Sequence, residues 1–168
     1  MVKHSENIIV GVSIGDMNGI GPEVILKTFE DSRMLEICTP VIFANAKIVS
    51  FLKKSYNLNA FIQGIDKLDQ IVLGKINVLN VWREGVNLEN GKLDDVIGKY
   101  AIKSFQAATT ALKNNQIDVL VTAPINKYNI QAEDYKFAGH TDYLNEQLEA
   151  SKESTLKVMV SPDCTNGQ

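Results

Sequence analysis

The sequence predicts an α/β fold, a doubly wound and mostly parallel sheet, and three observations carry that reading. Runs of β-branched and aliphatic residues alternate along the chain with segments of helical period. These runs are apolar at successive positions rather than at every second one, the pattern of strands covered on both faces by helices. Two of them, residues 7–14 and 117–122, lead directly into loops rich in glycine, proline and polar side chains, where such sheets hold ligands.

In chain order, residues 7–14 form the first strand and residues 15–21 a glycine-rich loop. Pro22 and Glu23 then open a helix running to about residue 31, since proline suits the first helical turn and glutamate the positive end of the helix dipole. Residues 40–44 read as a buried strand, 46–56 as a helix and 75–81 as a third strand. Ile97, Ala101, Phe105, Ala108 and Leu112 recur at spacings of three and four, which predicts a long amphipathic helix over residues 94–114. Residues 117–122 are a continuous apolar strand, 144–150 a helix after His140-Thr141-Asp142, and 156–160 a further strand. The pattern assigns no element to residues 57–73, and residues 82–91 are open to a hairpin or a plain loop. Right-handed crossovers join the parallel strands.

Composition narrows the function. Of the 168 residues 45% are hydrophobic and 22% charged, which excludes a disordered or fibrous chain and suits a single domain with a real core. A net charge of −3 offers no basic field for nucleic acid and no cationic face for a membrane. The apolar runs fall far short of the roughly 20 residues that cross a bilayer, and the N-terminus lacks a signal-peptide core, so a cytoplasmic location is expected. Cys38 and Cys164 are far apart in sequence and are expected to be free thiols.

Three motifs carry the candidate chemistry. In Gly15-Asp16-Met17-Asn18-Gly19-Ile20-Gly21-Pro22-Glu23 the glycines permit positive φ and close approach of a ligand, or merely a tight strand-to-helix turn. Their spacing is not that of the dinucleotide fingerprint, and Pro22 removes an amide that could hold phosphate. In Thr122-Ala123-Pro124-Ile125-Asn126-Lys127 the polar side chains can converge on an anionic or hydroxylated substrate; alternatively Pro124 ends the strand and Lys127 is solvated. In Gly139-His140-Thr141-Asp142 the histidine can donate, accept or carry charge beside a helix start, or serve as a capped or core residue.

The order of these three motifs along almost the whole chain resembles the 4-hydroxythreonine-4-phosphate dehydrogenase family of vitamin B6 biosynthesis. Met17-Asn18 stands where Pro-Ala is commoner, Ala138 where proline is usual and Asp142 where glutamate is usual. The resemblance implies an isocitrate/isopropylmalate dehydrogenase-like fold, a homodimer with its sites in a cleft near the subunit interface, and NAD(P) with a divalent metal (Zn, Mg or Co). It implies oxidation of 4-phosphooxy-L-threonine to a β-keto acid that decarboxylates to 3-amino-2-oxopropyl phosphate. By position, His140 and Thr141 match the family's substrate-binding pair, and Asp16, Asn126 and Lys127 are added from their location.

The resemblance also implies that residues 1–168 correspond to the N-terminal part of a longer two-domain enzyme, a truncated form of the fold. The family's three metal-binding histidines, its main phosphate contacts and most cofactor contacts fall outside the matched region. This chain has only His4 and His140, so no metal ligand and no cofactor-binding residue is assigned, and the chain is expected to be inactive alone. Residues 161–168 do not read as the family's continuation, and a half-sheet is expected to leave an open edge and an uncovered apolar face. The alternatives are a dehydrogenase of a related phosphorylated four-carbon sugar acid and a non-catalytic binding fragment; a phosphotransacetylase-like acyltransferase is disfavoured by the motif set.

Overall fold

A computed structural model describes residues 7–131, 135–137 and 139–148. Ten elements follow one another: β1 (Ile8–Ser13), α1 (Gly21–Glu30), α2 (Ser32–Ile37), β2 (Cys38–Ala44), α3 (Ala46–Ser55), β3 (Ile62–Ile65), β4 (Ile76–Asn80), α4 (Asp95–Lys113), β5 (Val119–Thr122) and α5 (His140–Leu148), with a short 3-10 turn at Leu68–Gln70. The strands form one sheet in the order β3-β4-β2-β1-β5, and every pairing is parallel.

The alternation of side chains along each strand sorts the core into two layers. Val12, Ile42, Ala44, Ile76 and Val78 point to the face covered by Ile25, Leu26 and Phe29 of α1 and Ile48, Val49 and Leu52 of α3. Val41, Phe43 and Ile117 point to the other face, where Ala108 and Ala111 of α4 cover them. Helices on both faces make the sheet doubly wound, and they explain why β2, at its centre, is buried at all seven positions. Asn45 and Asp94 cap α3 and α4 by accepting from the amides two and three residues on, Lys47 and Ile48 in one case, Val96 and Ile97 in the other.

Three expectations need correction or completion, and one element, α2, is not among the expected ones. Residues 57–73 contain β3, an edge strand too short and mixed, Ile62-Gln63-Gly64-Ile65, to carry a clear period. The single turn-and-a-half of α2 is held by the Asp31 carboxylate, which accepts from the Arg33 amide, rather than by a buried face. Residues 82–91 contain no strand, so the hairpin is not formed. The last described strand is not buried on both faces: β5 lies at the sheet edge, and Val119 and Val121 are 44% and 48% exposed. Both valines sit beside Val10 and Val12 in register, on the face that α1 and α3 leave uncovered at this end.

Cys38 is buried as a free thiol, and burial raises its pKa. Cys164 and the expected strand at 156–160 lie outside the described residues. No helix among the described residues is long and apolar enough to cross a membrane.

Candidate functional site

The C-terminal ends of β1 and β5 lie side by side, because Ser13 and Thr122 are register partners. Two motifs therefore leave the sheet together, and their backbones interlock. The Asp16 amide donates to the Pro124 carbonyl at 2.9 Å and the Ala123 amide to the Ser13 carbonyl at 3.2 Å. Gly15 has φ +68°, and a Cβ there would collide with the Pro124 carbonyl oxygen; one at Gly21 would lie 3.1 Å from Ala123 Cβ. Two of the three loop glycines thus serve the approach of the neighbouring loop, so of the two readings open from sequence the tight-turn one accounts for Gly15 and Gly21.

Asp16 organises that loop. Its Oδ1 accepts from the Asn18 amide at 2.9 Å and its carbonyl accepts from the Gly19 amide at 3.0 Å, an Asx turn. Among the described residues no hydrogen bond engages Oδ2, which leaves one carboxylate oxygen free for a ligand. In the second motif Thr122 is half-buried at the strand end. Asn126 makes a similar turn, its Oδ1 accepting from the Tyr128 amide at 3.0 Å, and Lys127 is exposed with no ion pair among the described residues.

The turn after Asn126 is anchored on α4 by a residue that sequence reading missed. Asn129, buried to 4% exposure, donates from Nδ2 to the Asp94 carbonyl at 3.0 Å, while its Oδ1 is buried without a partner among the described residues. Its backbone rests on Gly98, where any Cβ would collide with the Asn129 carbonyl. Alanine in place of a helical glycine ordinarily gains up to about 1 kcal/mol. Here the obstacle is backbone that cannot swing aside, and overpacking costs about 1–3 kcal/mol. Gly98→Ala is therefore expected to lower Tm by about 2–6 °C, measured by thermal melting; an unchanged or raised Tm would mean that the 126–130 turn does not rest on α4.

The third motif reaches the same helix. His140 is the first residue of α5, and its ring packs on Phe105 of α4 with centroids 4.4 Å apart. Phe105 also meets Tyr143 at 5.2 Å, and Tyr135, Phe137 and Tyr143 close an aromatic cluster over Ile102 and Ile130. The adjacent Ser104 hydroxyl accepts from the Ile14 amide at 2.9 Å and donates to the Phe43 carbonyl, fixing α4 under the start of the glycine-rich loop. Residues 104 and 105 thus tie the first and third motifs to one turn of α4. His140 Nε2 is buried with no hydrogen-bond partner among the described residues, and burial lowers the imidazole pKa to about 4, so the ring is neutral at pH 7. Thr141, beside it, is exposed.

The donors do not fit a metal cage or a dinucleotide cradle. Among the described residues no three His, Cys, Asp or Glu side chains gather as a ligand group, and the close glycines of the first motif are occupied by the neighbouring loop. A surface depression lined by Lys47, Ser50, Phe51 and Lys54 on α3 includes no residue of the three motifs.

A parallel doubly wound sheet whose polar loops meet at the C-terminal ends of two adjacent strands defines an open α/β protein, with those loops where such sheets hold ligands. The sequence model of the pyridoxal phosphate biosynthetic protein PdxA family matches residues 36–164, and the chain belongs to that family. A 4-hydroxythreonine-4-phosphate dehydrogenase of Bacteroides thetaiotaomicron is 38% identical over 152 residues, covering 90% of this chain and 42% of that protein. A Clostridium botulinum protein provisionally named D-threonate 4-phosphate dehydrogenase is 28% identical over 151 residues, covering 88% and 45%. The crystal structure of a 4-hydroxythreonine-4-phosphate dehydrogenase from Burkholderia phymatum shares the fold with a TM-score of 0.77 at 24% identity, over 86% of this chain and 44% of that one. The chain spans under half the length of these relatives.

Proposed function

We propose that residues 1–168 are one α/β domain forming the substrate-side part of a 4-hydroxythreonine-4-phosphate dehydrogenase. In this reading His140 and Thr141 bind the phosphorylated substrate, with Asp16, Asn126 and Lys127 around it. The observation that carries it is the half-buried, neutral His140, whose Nε2 is buried without a partner among the described residues although it stands beside the exposed Thr141. A buried polar atom left unpaired is costly to the fold, and a substrate hydroxyl or carboxylate would satisfy it.

The reaction is oxidation of 4-phosphooxy-L-threonine by NAD(P)+ to a β-keto acid that loses CO2, in a homodimeric cytoplasmic enzyme. A nicotinamide cofactor would supply the hydride acceptor and a divalent metal would acidify the substrate hydroxyl, and the described residues provide a binding site for neither. The described residues contribute orientation: a neutral imidazole that donates or accepts one hydrogen bond, a threonine hydroxyl, a lysine for anionic charge and a carboxylate oxygen free at Asp16. A phosphorylated four-carbon sugar acid is the second reading, favoured by the name of the Clostridium botulinum relative.

In a full-length relative, alanine at the histidine of the Gly-His-Thr motif is expected to raise KM or lower kcat on the order of tenfold or more, with Tm nearly unchanged. Assaying that enzyme with 4-phosphooxy-L-threonine and with D-threonate 4-phosphate separates the two substrates. A collapsed Tm with unaltered kinetics would return the histidine to a purely structural role.

A further inference from the structure

Asn18 is polar, 2% exposed and inside a loop whose neighbours are glycine and apolar residues, yet the proposed chemistry does not use it. All its hydrogen bonds outside its own loop go to one distant turn. Its side-chain Oδ1 accepts from the Glu89 amide at 2.9 Å, its Nδ2 donates to the Lys92 carbonyl at 3.1 Å, and its carbonyl accepts from the Gly91 amide at 2.7 Å. The turn closes on itself, the Lys92 amide donating to the Glu89 carbonyl at 3.0 Å, with Gly91 at φ +76° where a side chain is disfavoured. The amide of Asn18 meanwhile donates to Asp16 Oδ1. One buried residue thus joins the Asp16 carboxylate, through its backbone amide, to a connection that its side chain and carbonyl hold more than seventy residues away in sequence.

We infer that Asn18 is a positioning residue that locks the β4–α4 connection against the glycine-rich loop, making that connection a preformed wall beside Asp16 rather than a mobile flap. The wall presents the ion pair of Lys92 Nζ and Glu89 Oε1, 2.7 Å apart, at the solvent-facing rim. Val86 and Leu88 pack on the core and Glu84 accepts from the Tyr100 hydroxyl, but Glu89, Asn90, Gly91 and Lys92 are all exposed, so at the turn itself the bonds to Asn18 are what hold it among the described residues. The inference rests on the proposed site only for its place beside Asp16.

Amide hydrogen exchange of the 168-residue chain, followed by NMR, reads the lock without substrate or turnover, so its outcome is independent of whether the proposed activity holds. Asn18→Ala is expected to speed exchange of the Glu89 amide on the order of tenfold or more, while the Val12 and Ile42 amides in the central strands keep their wild-type rates. Asn18→Asp, which retains the acceptor oxygen, is expected to restore slow exchange at Glu89. Unchanged Glu89 exchange in Asn18→Ala with an intact sheet overturns the inference. If Asn18→Ala also frees the sheet amides, Asn18→Asp decides: slow exchange at Glu89 upholds the lock and fast exchange with an intact sheet overturns it.

Discussion

Phe105→Ala is expected to destabilise the chain by about 3–5 kcal/mol, the range for deleting a fully buried phenyl ring, and to lower Tm by on the order of 10 °C. Phe105 is 0% exposed and touches both His140 and Tyr143, so its loss opens a cavity where α5 rests on α4. The same substitution should raise the imidazole pKa. Burial is what holds His140 near 4, and removing the ring that covers it lets water reach the charged form.

The pH dependence of stability follows with a definite sign. The folded pKa of about 4 lies below the ordinary 6.5, so between these values the unfolded chain binds more protons. The His140 contribution is therefore level above about pH 6.5, and stability falls as pH drops from there towards 4. In Phe105→Ala that histidine-dependent slope should shrink. NMR titration of the His140 ring carbons checks both statements: His140 titrating near 6.5 in the wild-type chain would remove the burial argument on which the proposed substrate contact rests.

The second large effect is an absence of turnover. The 168-residue chain, purified alone, is expected to show no NAD(P)+-dependent oxidation of 4-phosphooxy-L-threonine even with Mg2+, Mn2+ or Zn2+ supplied. The family resemblance implies a three-histidine metal site, whereas this chain contains His4 and His140 only, and His140 is assigned to the substrate. Self-association adds more copies of the same donors without adding a new kind. Without a fixed metal the substrate hydroxyl keeps a pKa far above neutral, and without an orienting site the nicotinamide loses the advantage of proximity. NAD(P)H absorbance reads the result. Metal-dependent turnover that survives removal of host enzyme would show that the essential site lies within these residues.

Local pattern was sufficient for β1, β2, β4, α1, α3 and α4, because strand and helix periods and their caps are decided by residues a few positions apart. The same pattern placed the three motifs at strand ends and a helix start, and their order pointed to the family. What it left open depends on partners far along the chain. Whether Gly15 and Gly21 serve a ligand or a neighbour is decided by Ala123 and Pro124; the need for glycine at Gly98 is decided by Asn129. Asn18 looks like an ordinary loop asparagine until the turn at residues 89–92 closes around it.

The continuous apolar run ending at Thr122 described a strand correctly but not its place, since Val119 and Val121 become half-exposed only through the sheet order that sets β5 at the edge. The sequence by itself thus determined the class of fold, the elements and the chemical types in the candidate site, all properties of short windows. The tertiary structure alone decided which glycines are packing contacts, which asparagines are anchors and that His140 is held neutral against Phe105. Those outcomes depend on burial and steric contact between segments that the sequence keeps tens of residues apart.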